Sequence, residues 1–105
     1  MLFKDIHIKM IKEGTKTRTS RLWKTRRAKV GSIHLIKTKM LSKENFGRIR
    51  ILNVEKRHLS DMDSEWAMKE GGYTKEEFLK LWFDINPKSE KNPNMFVIDF
   101  EYVGD

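Results

Sequence analysis

The residues of this 105-residue chain best suited to chemistry cluster near its start. Between Lys16 and Lys29 stand seven cations: Lys16, Arg18, Arg21, Lys24, Arg26, Arg27 and Lys29. No acid lies among them, and Trp23 sits in their midst. Cations neutralise phosphates and an indole face can stack a nucleobase, so the segment has the makings of a nucleic-acid footprint. A solvated basic loop or a lysine-rich thermophile surface has the same composition. The wider charge distribution is polarised. Residues 1–58 carry 17 Lys and Arg against four acids, a net +13, while residues 59–105 carry five Lys against eleven acids, a net −6. A surface that mixed its signs would not divide in this way.

Other chemistries are excluded or poorly supported. The chain has no cysteine, so disulfides, thiol nucleophiles and Cys-ligated metal centres are ruled out. His7, His34 and His58 are too scattered for a metal-ligand pattern. Asp61, Asp63 and Glu65 lack the glycine and distal Glu of a calcium loop and suit helix capping better. No Walker or dinucleotide glycine pattern occurs, and neither a metal nor a cofactor is expected. Trp66 and Trp82 read as core residues, whereas Trp23, inside the basic stretch, is the aromatic suited to a ligand. A protein-interaction role for the acidic half has no motif behind it.

The elements that must position these groups follow from periodicity. Phe3, Ile6, His7, Met10 and Ile11 recur at helical spacing and predict a helix over 4–13, closed by Gly14 as a left-handed cap. His7 on that apolar face reads as a core or cleft-edge residue. Residues 15–29 have no clean period and read as a long basic loop with short ordered pieces. Residues 33–38 predict a strand, 42–47 a turn, and 48–51 a second strand that continues to Val54 through a bulge. Ser60 or Asp63 caps a short helix that ends before Gly71-Gly72. Thr74 and Glu77 form a capping box for a helix whose buried face is Phe78, Leu81, Trp82 and Ile85. Met95 to Val103 is the best strand, with Phe96, Ile98, Phe100 and Tyr102 on one face. This order is not βαβ, so the fold class is α+β: a small, mostly antiparallel β-barrel with helices packed on it. One domain spans 1–105. With no apolar run long enough for a membrane span and no signal-peptide pattern at the start, a cytoplasmic protein is expected.

The stretch Gly14-Thr15-Lys16-Thr17-Arg18-Thr19-Ser20-Arg21 resembles the signature of ASCH domains, relatives of the PUA RNA-binding domain. Gly14, Lys16, Thr19 and Arg21 fill its places. The resemblance continues through Val30-Gly31, the Ala67 to Gly71 stretch, the Thr74-capped helix with Phe78 and Trp82, and the closing strand at Phe96 to Phe100. It implies a PUA-like barrel whose signature loop lines a cleft between barrel and helices. It also implies RNA or nucleotide binding, through Lys16, Arg18, Arg21, Trp23, Lys24 and Arg27. The alternative it implies is that of a subset of small ASCH proteins, which hydrolyse the acetyl amide of N4-acetylcytidine. In that reading Lys16, Thr19 and Glu70 are catalytic. Many ASCH domains carry Glu where Thr19 stands, and Gly31-Ser32 replaces the frequent Gly-Asp.

The residue types suffice for amide hydrolysis. Thr19 supplies a hydroxyl, a neutral Lys16 would remove its proton, Glu70 would position Lys16 or carry a proton to the leaving amine, and Arg21 or loop amides would hold the oxyanion. The same groups also suit a bland arrangement: a structural Lys16–Glu70 pair, a loop-stabilising Thr19 and a phosphate-anchoring Arg21. A hydroxyl within about 3 Å of the Lys16 amine on a pocket floor suits the enzyme, and side chains splayed over an open basic surface suit simple binding.

Overall fold

The apolar spacing at the start does produce a helix, α1, over Asp5–Glu13. A computed structural model describes residues 1–105. Gly14 ends α1 at φ 81°, where a side chain would be strained, and its N–H bonds back to the last turn. Phe3, His7 and Ile11 turn inward, but Ile6 is 58% exposed, so the buried stripe is narrower than the spacing suggests.

The basic stretch opens as a strand rather than a loop. Residues Arg18–Arg21 form β1, which pairs antiparallel with β4, Asn94–Gly104. An Arg-Thr-Ser-Arg sequence carries no apolar alternation, so only the partner strand makes it a strand. β2 is confined to Ile33–Leu35, shorter than expected. Beyond it Ile36 is buried, and Lys37 bridges to Leu2. β3 runs longer than expected, over Arg48–His58, and its register on β4 shifts between Ile51 and Asn53, where the bulge was anticipated. Bulging turns Leu52 outward while Ile49 and Ile51 stay buried.

The four strands form one antiparallel sheet in the order β1-β4-β3-β2. β1 and β2 are its edges and do not pair, so the sheet is not closed: the α+β class holds, and the expected barrel is not confirmed. β4 is the spine, and both of its faces are covered. Ile98 and Phe100 join Phe3, Ile11, Ile36, Ile49 and Ile51 on the α1 side, with Phe96 and Tyr102 packed at the margin. Met95 and Val97 join Leu59, Met62, Trp66, Ala67, Phe78 and Trp82 on the other side. Two helices provide that second layer. α2 spans Ser64–Gly71, and Asp63 Oδ1 caps it by accepting the Trp66 N–H at 2.9 Å. α3 spans Lys75–Ile85 and opens on the expected capping box: the Glu77 N–H reaches Thr74 Oγ1 at 3.1 Å and the Thr74 N–H reaches Glu77 Oε1 at 2.8 Å. No helix is long and apolar enough to cross a membrane.

Candidate functional site

The chain between α1 and β1 is stitched down on three sides. The Lys16 N–H bonds Met10 O at 3.0 Å, the Thr17 N–H bonds Lys69 O at 2.8 Å, and the Phe100 N–H bonds Thr17 O at 3.0 Å. These bonds tie the segment to α1, to the last turn of α2 and to β4, and they leave the Lys16 side chain nowhere to go but inward. Lys16 is 3% exposed and Glu70, from the last turn of α2, is 2% exposed. Lys16 Nζ donates to Arg18 O at 2.8 Å, to Glu70 O at 2.8 Å and to Glu70 Oε1 at 3.2 Å. Three donors meet three acceptors, the arrangement of an ammonium. Burial pulls the Lys16 amine below the ordinary lysine range, and the Glu70 charge only partly restores it.

The second oxygen of Glu70 is held separately. Ser20 Oγ donates to Glu70 Oε2 at 2.5 Å, and Trp66 Nε1 donates to it at 2.9 Å while lying 3.2 Å from Ser20 Oγ. Ser20 was not singled out from the sequence, and Trp66 was read as core. Trp66 is indeed buried, but its indole N–H belongs to the site. The signal for both lay in position alone: Ser20 beside Thr19, and Trp66 four residues before Glu70 on one helix face.

Thr19 lies on the same cavity wall, 5% exposed, and its Oγ1 accepts from Arg21 Nε at 3.1 Å. Thr19 is not hydrogen-bonded to Lys16, whose three protons are all engaged elsewhere. Arg21 also donates from Nη2 to Leu2 O at 2.5 Å and lies over the Phe3 ring at 4.9 Å. Burial draws its guanidinium down to about 10. His7 Nε2 pairs with Tyr73 Oη at 2.8 Å, and burial, then Lys16 and Arg21, push the ring down to about 4, so it is neutral at pH 7. Tyr73 is reached through Gly71, φ 152°, where a Cβ would stand 2.8 Å from the Tyr73 ring.

Lys16, Thr19, Ser20, Arg21, Glu70 and His7 together face a cavity of about 360 Å3 between β1, α1 and the α2–α3 pair. The apolar part of the lining comes from Phe3, Phe78, Leu81, Trp82 and Ile85. Trp82 Nε1 is buried without a partner, which is uncommon for an indole N–H. A volume near the lower end of the usual range for small-molecule sites fits one small ligand with a flat apolar part and a polar edge.

The structure divides the expected nucleic-acid set. Lys16 and Arg21 line the cavity. Arg18 does not: it forms a two-pronged pair with Asp99, Nε to Oδ1 at 2.6 Å and Nη2 to Oδ2 at 3.1 Å, and lies over Trp66 at 5.7 Å. Trp23 is half-buried against Phe96, with ring centroids 6.0 Å apart. Lys24 and Arg27 are exposed and outside the cavity.

No family model matches the sequence, and no curated protein matches it. Two solved structures match the fold. An ASCH domain from Lactobacillus crispatus JV V101 superposes with TM-score 0.67 and 15% identity, over 96% of this chain and 72% of that one. A protein of Enterococcus faecalis V583, described by the family model DUF984, superposes with TM-score 0.72 and 19% identity, over 98% of this chain and 78% of that one. The chain therefore has an ASCH-like α+β fold.

Proposed function

We propose that the cavity binds a single nucleoside and that the chain hydrolyses an amide on it, with the acetyl amide of N4-acetylcytidine as substrate. The observation that carries this reading is the Lys16–Glu70 pair buried at the floor of a small cavity. Burying two opposite charges is often no more stable than burying apolar groups of the same volume, so such a pair is weak support for a purely structural role. At the bottom of a ligand-sized hollow it is a proton store.

The geometry suggests roles different from those the residue types first imply. Lys16 spends its three protons on Arg18 O, Glu70 O and Glu70 Oε1, so it suits the role of orienting the carboxylate rather than that of a base, and the proton for a departing amine comes by way of Glu70. Glu70 is the carboxylate that takes the proton from the attacking oxygen. Thr19, whose oxygen accepts from Arg21, keeps its own proton for a ligand oxygen. Arg21 has a further N–H available for the oxyanion of the tetrahedral intermediate. The apolar wall would take the face of the pyrimidine ring.

Incubating purified protein with N4-acetylcytidine and following cytidine and acetate tests this reading. Release of both, abolished in Lys16→Ala and Glu70→Gln, is expected. No turnover anywhere between about pH 6 and 9 would remove it.

Polymer binding is a second reading, favoured by Lys24, Arg26 and Arg27, which are exposed on one short segment with no acidic partner. On this reading RNA lies across that segment and offers one nucleoside to the cavity. Affinity should then fall with salt by nearly one log–log unit for each phosphate contacted.

A further inference from the structure

We infer that Ser20 is the nucleophile of this site. The inference rests on the hydrolase reading for its substrate, but its geometric basis is separate. Two hydroxyl residues, Thr19 and Ser20, are consecutive on β1 and both line the cavity, their side chains on opposite faces of the strand. Only one has a base. Ser20 Oγ donates to Glu70 Oε2 at 2.5 Å, whereas Thr19 Oγ1 accepts from the Arg21 guanidinium and has no carboxylate, imidazole or free amine in reach. A nucleophilic hydroxyl requires a base within hydrogen-bond distance and a third group to orient that base. Lys16 Nζ is that third group, 3.2 Å from the other oxygen of Glu70.

Trp66 completes the arrangement. Its Nε1–H lies 2.9 Å from Glu70 Oε2 and 3.2 Å from Ser20 Oγ, so it fixes the carboxylate and can follow the serine oxygen as negative charge builds on it. The main chain holds Ser20 in register through its pairing with Val97 on β4. Ser20 is half-buried and lines the cavity together with Glu70.

In the first step, Ser20 Oγ bonds to the acyl carbon and its proton passes to Glu70. Collapse breaks the C–N bond, the amine leaves with the proton that Glu70 took from Ser20, and the acyl group remains as an ester on Ser20. Water then attacks the ester, giving its proton to Glu70, and the C–O bond to Ser20 breaks. Ser20 regains a proton from Glu70, and the acid departs. Every group ends as it began, and water is the sole co-reactant.

The test is acylation by p-nitrophenyl acetate, which needs no knowledge of the natural substrate. Peptide mapping of quenched wild-type protein should find one acetyl group, on Ser20. Ser20→Ala should lose the adduct and lower N4-acetylcytidine turnover at least about 100-fold. Ser20→Cys provides a folding control, because the chain has no other thiol. A folded Ser20→Cys variant should carry the acetyl group on its sulfur. An adduct on Thr19, no adduct in the wild type, or full turnover by Ser20→Ala overturns the inference. If Ser20 is acetylated but N4-acetylcytidine is untouched, the substrate reading fails and the nucleophile stands. If cytidine is released at the wild-type rate by Ser20→Ala, the nucleophile fails and the substrate reading stands.

Discussion

Lys16 and Arg18, two residues apart, each reach an acid far along the chain, and the two ion pairs are built differently. Arg18 meets Asp99 through two parallel hydrogen bonds, across a strand pairing in which the two residues are direct partners. Asp99 keeps a quarter of its side chain exposed. Burial works against the Arg18 charge, but the bonds and attraction from Asp99 outweigh it and hold the guanidinium above its ordinary value. Lys16 meets the Glu70 carboxylate through one oxygen only, at 3.2 Å, with both groups almost wholly buried. There burial wins and the amine is drawn down. An always-charged fork on a partly solvated carboxylate is a clamp between strands, whereas the amine kept dry beside Glu70 has its charge opposed by burial. The difference separates a partly solvated clamp between strands from a dry pair at the edge of the cavity within three residues of sequence.

Removing each partner should sharpen that contrast. The largest effect expected is on chemistry: Lys16→Ala should lower amide hydrolysis by about 1000-fold or more, against a change of less than about tenfold for Arg18→Ala, in steady-state assays on N4-acetylcytidine. Equal losses in the two variants would erase the distinction. On stability, Lys16→Ala leaves Glu70 charged, buried and unpaired, at a cost of about 3–5 kcal/mol in urea unfolding. Arg18→Ala should cost about 1–3 kcal/mol, because Asp99 can turn to water. A reversed order would show that the strand clamp is the heavier of the two.

A third expectation uses acid. His7 is held neutral down to about 4 in the folded chain, against 6.5 unfolded. The unfolded chain therefore binds the extra proton first. The stability that neutral His7 provides is whole above about pH 6.5 and is lost as pH falls toward 4, by up to about 3 kcal/mol at about 1.4 kcal/mol per pH unit. His7→Gln, which can still meet Tyr73 Oη, should flatten the decline. If thermal unfolding of wild type and variant falls in parallel over that range, His7 is not the titrating group.

The smallest effects belong to the exposed cations. Lys24→Ala and Arg27→Ala should change unfolding free energy by no more than about 0.5 kcal/mol and leave hydrolysis of the free nucleoside intact. Each should reduce the salt dependence of RNA binding by about one log–log unit if that segment holds phosphates. A slope unchanged in both would confine the protein to small ligands.

Much of the scaffold was legible because it is written in local patterns. The α1 periodicity with Gly14 behind it, the Thr74–Glu77 box, the bulge at Leu52 and the apolar face of β4 all depend on neighbours within a few residues, and all four appear. What failed depended on distant partners. Residues 18–21 became a strand only because β4 offers an unpaired edge, and that partner lies about eighty residues away. The second covered face of β4, through Met95 and Val97, was invisible because both sides of a buried strand are apolar and alternation loses its meaning. Barrel closure was expected from element order, but closure requires β1 and β2 to meet, and chain order says nothing about whether they do.

For the candidate site, sequence alone supplied the inventory: Lys16, Thr19 and Arg21 spaced on one short segment, Glu70 set by the resemblance, and a basic half with no thiols. It could not assign their partners. Whether Lys16 faces Thr19 or Glu70, and whether Arg18 serves a ligand or Asp99, turns on a few ångströms set by the docking of β1 onto β4 and of α2 onto β1. Tertiary packing also decided that Ser20 shares a hydrogen bond with the buried acid and that Trp66 lends its N–H to both. Burial is a property of the assembled molecule. Because desolvation sets which ionisable groups keep their charge, the chemistry these side chains can perform became readable only once the chain had folded around them.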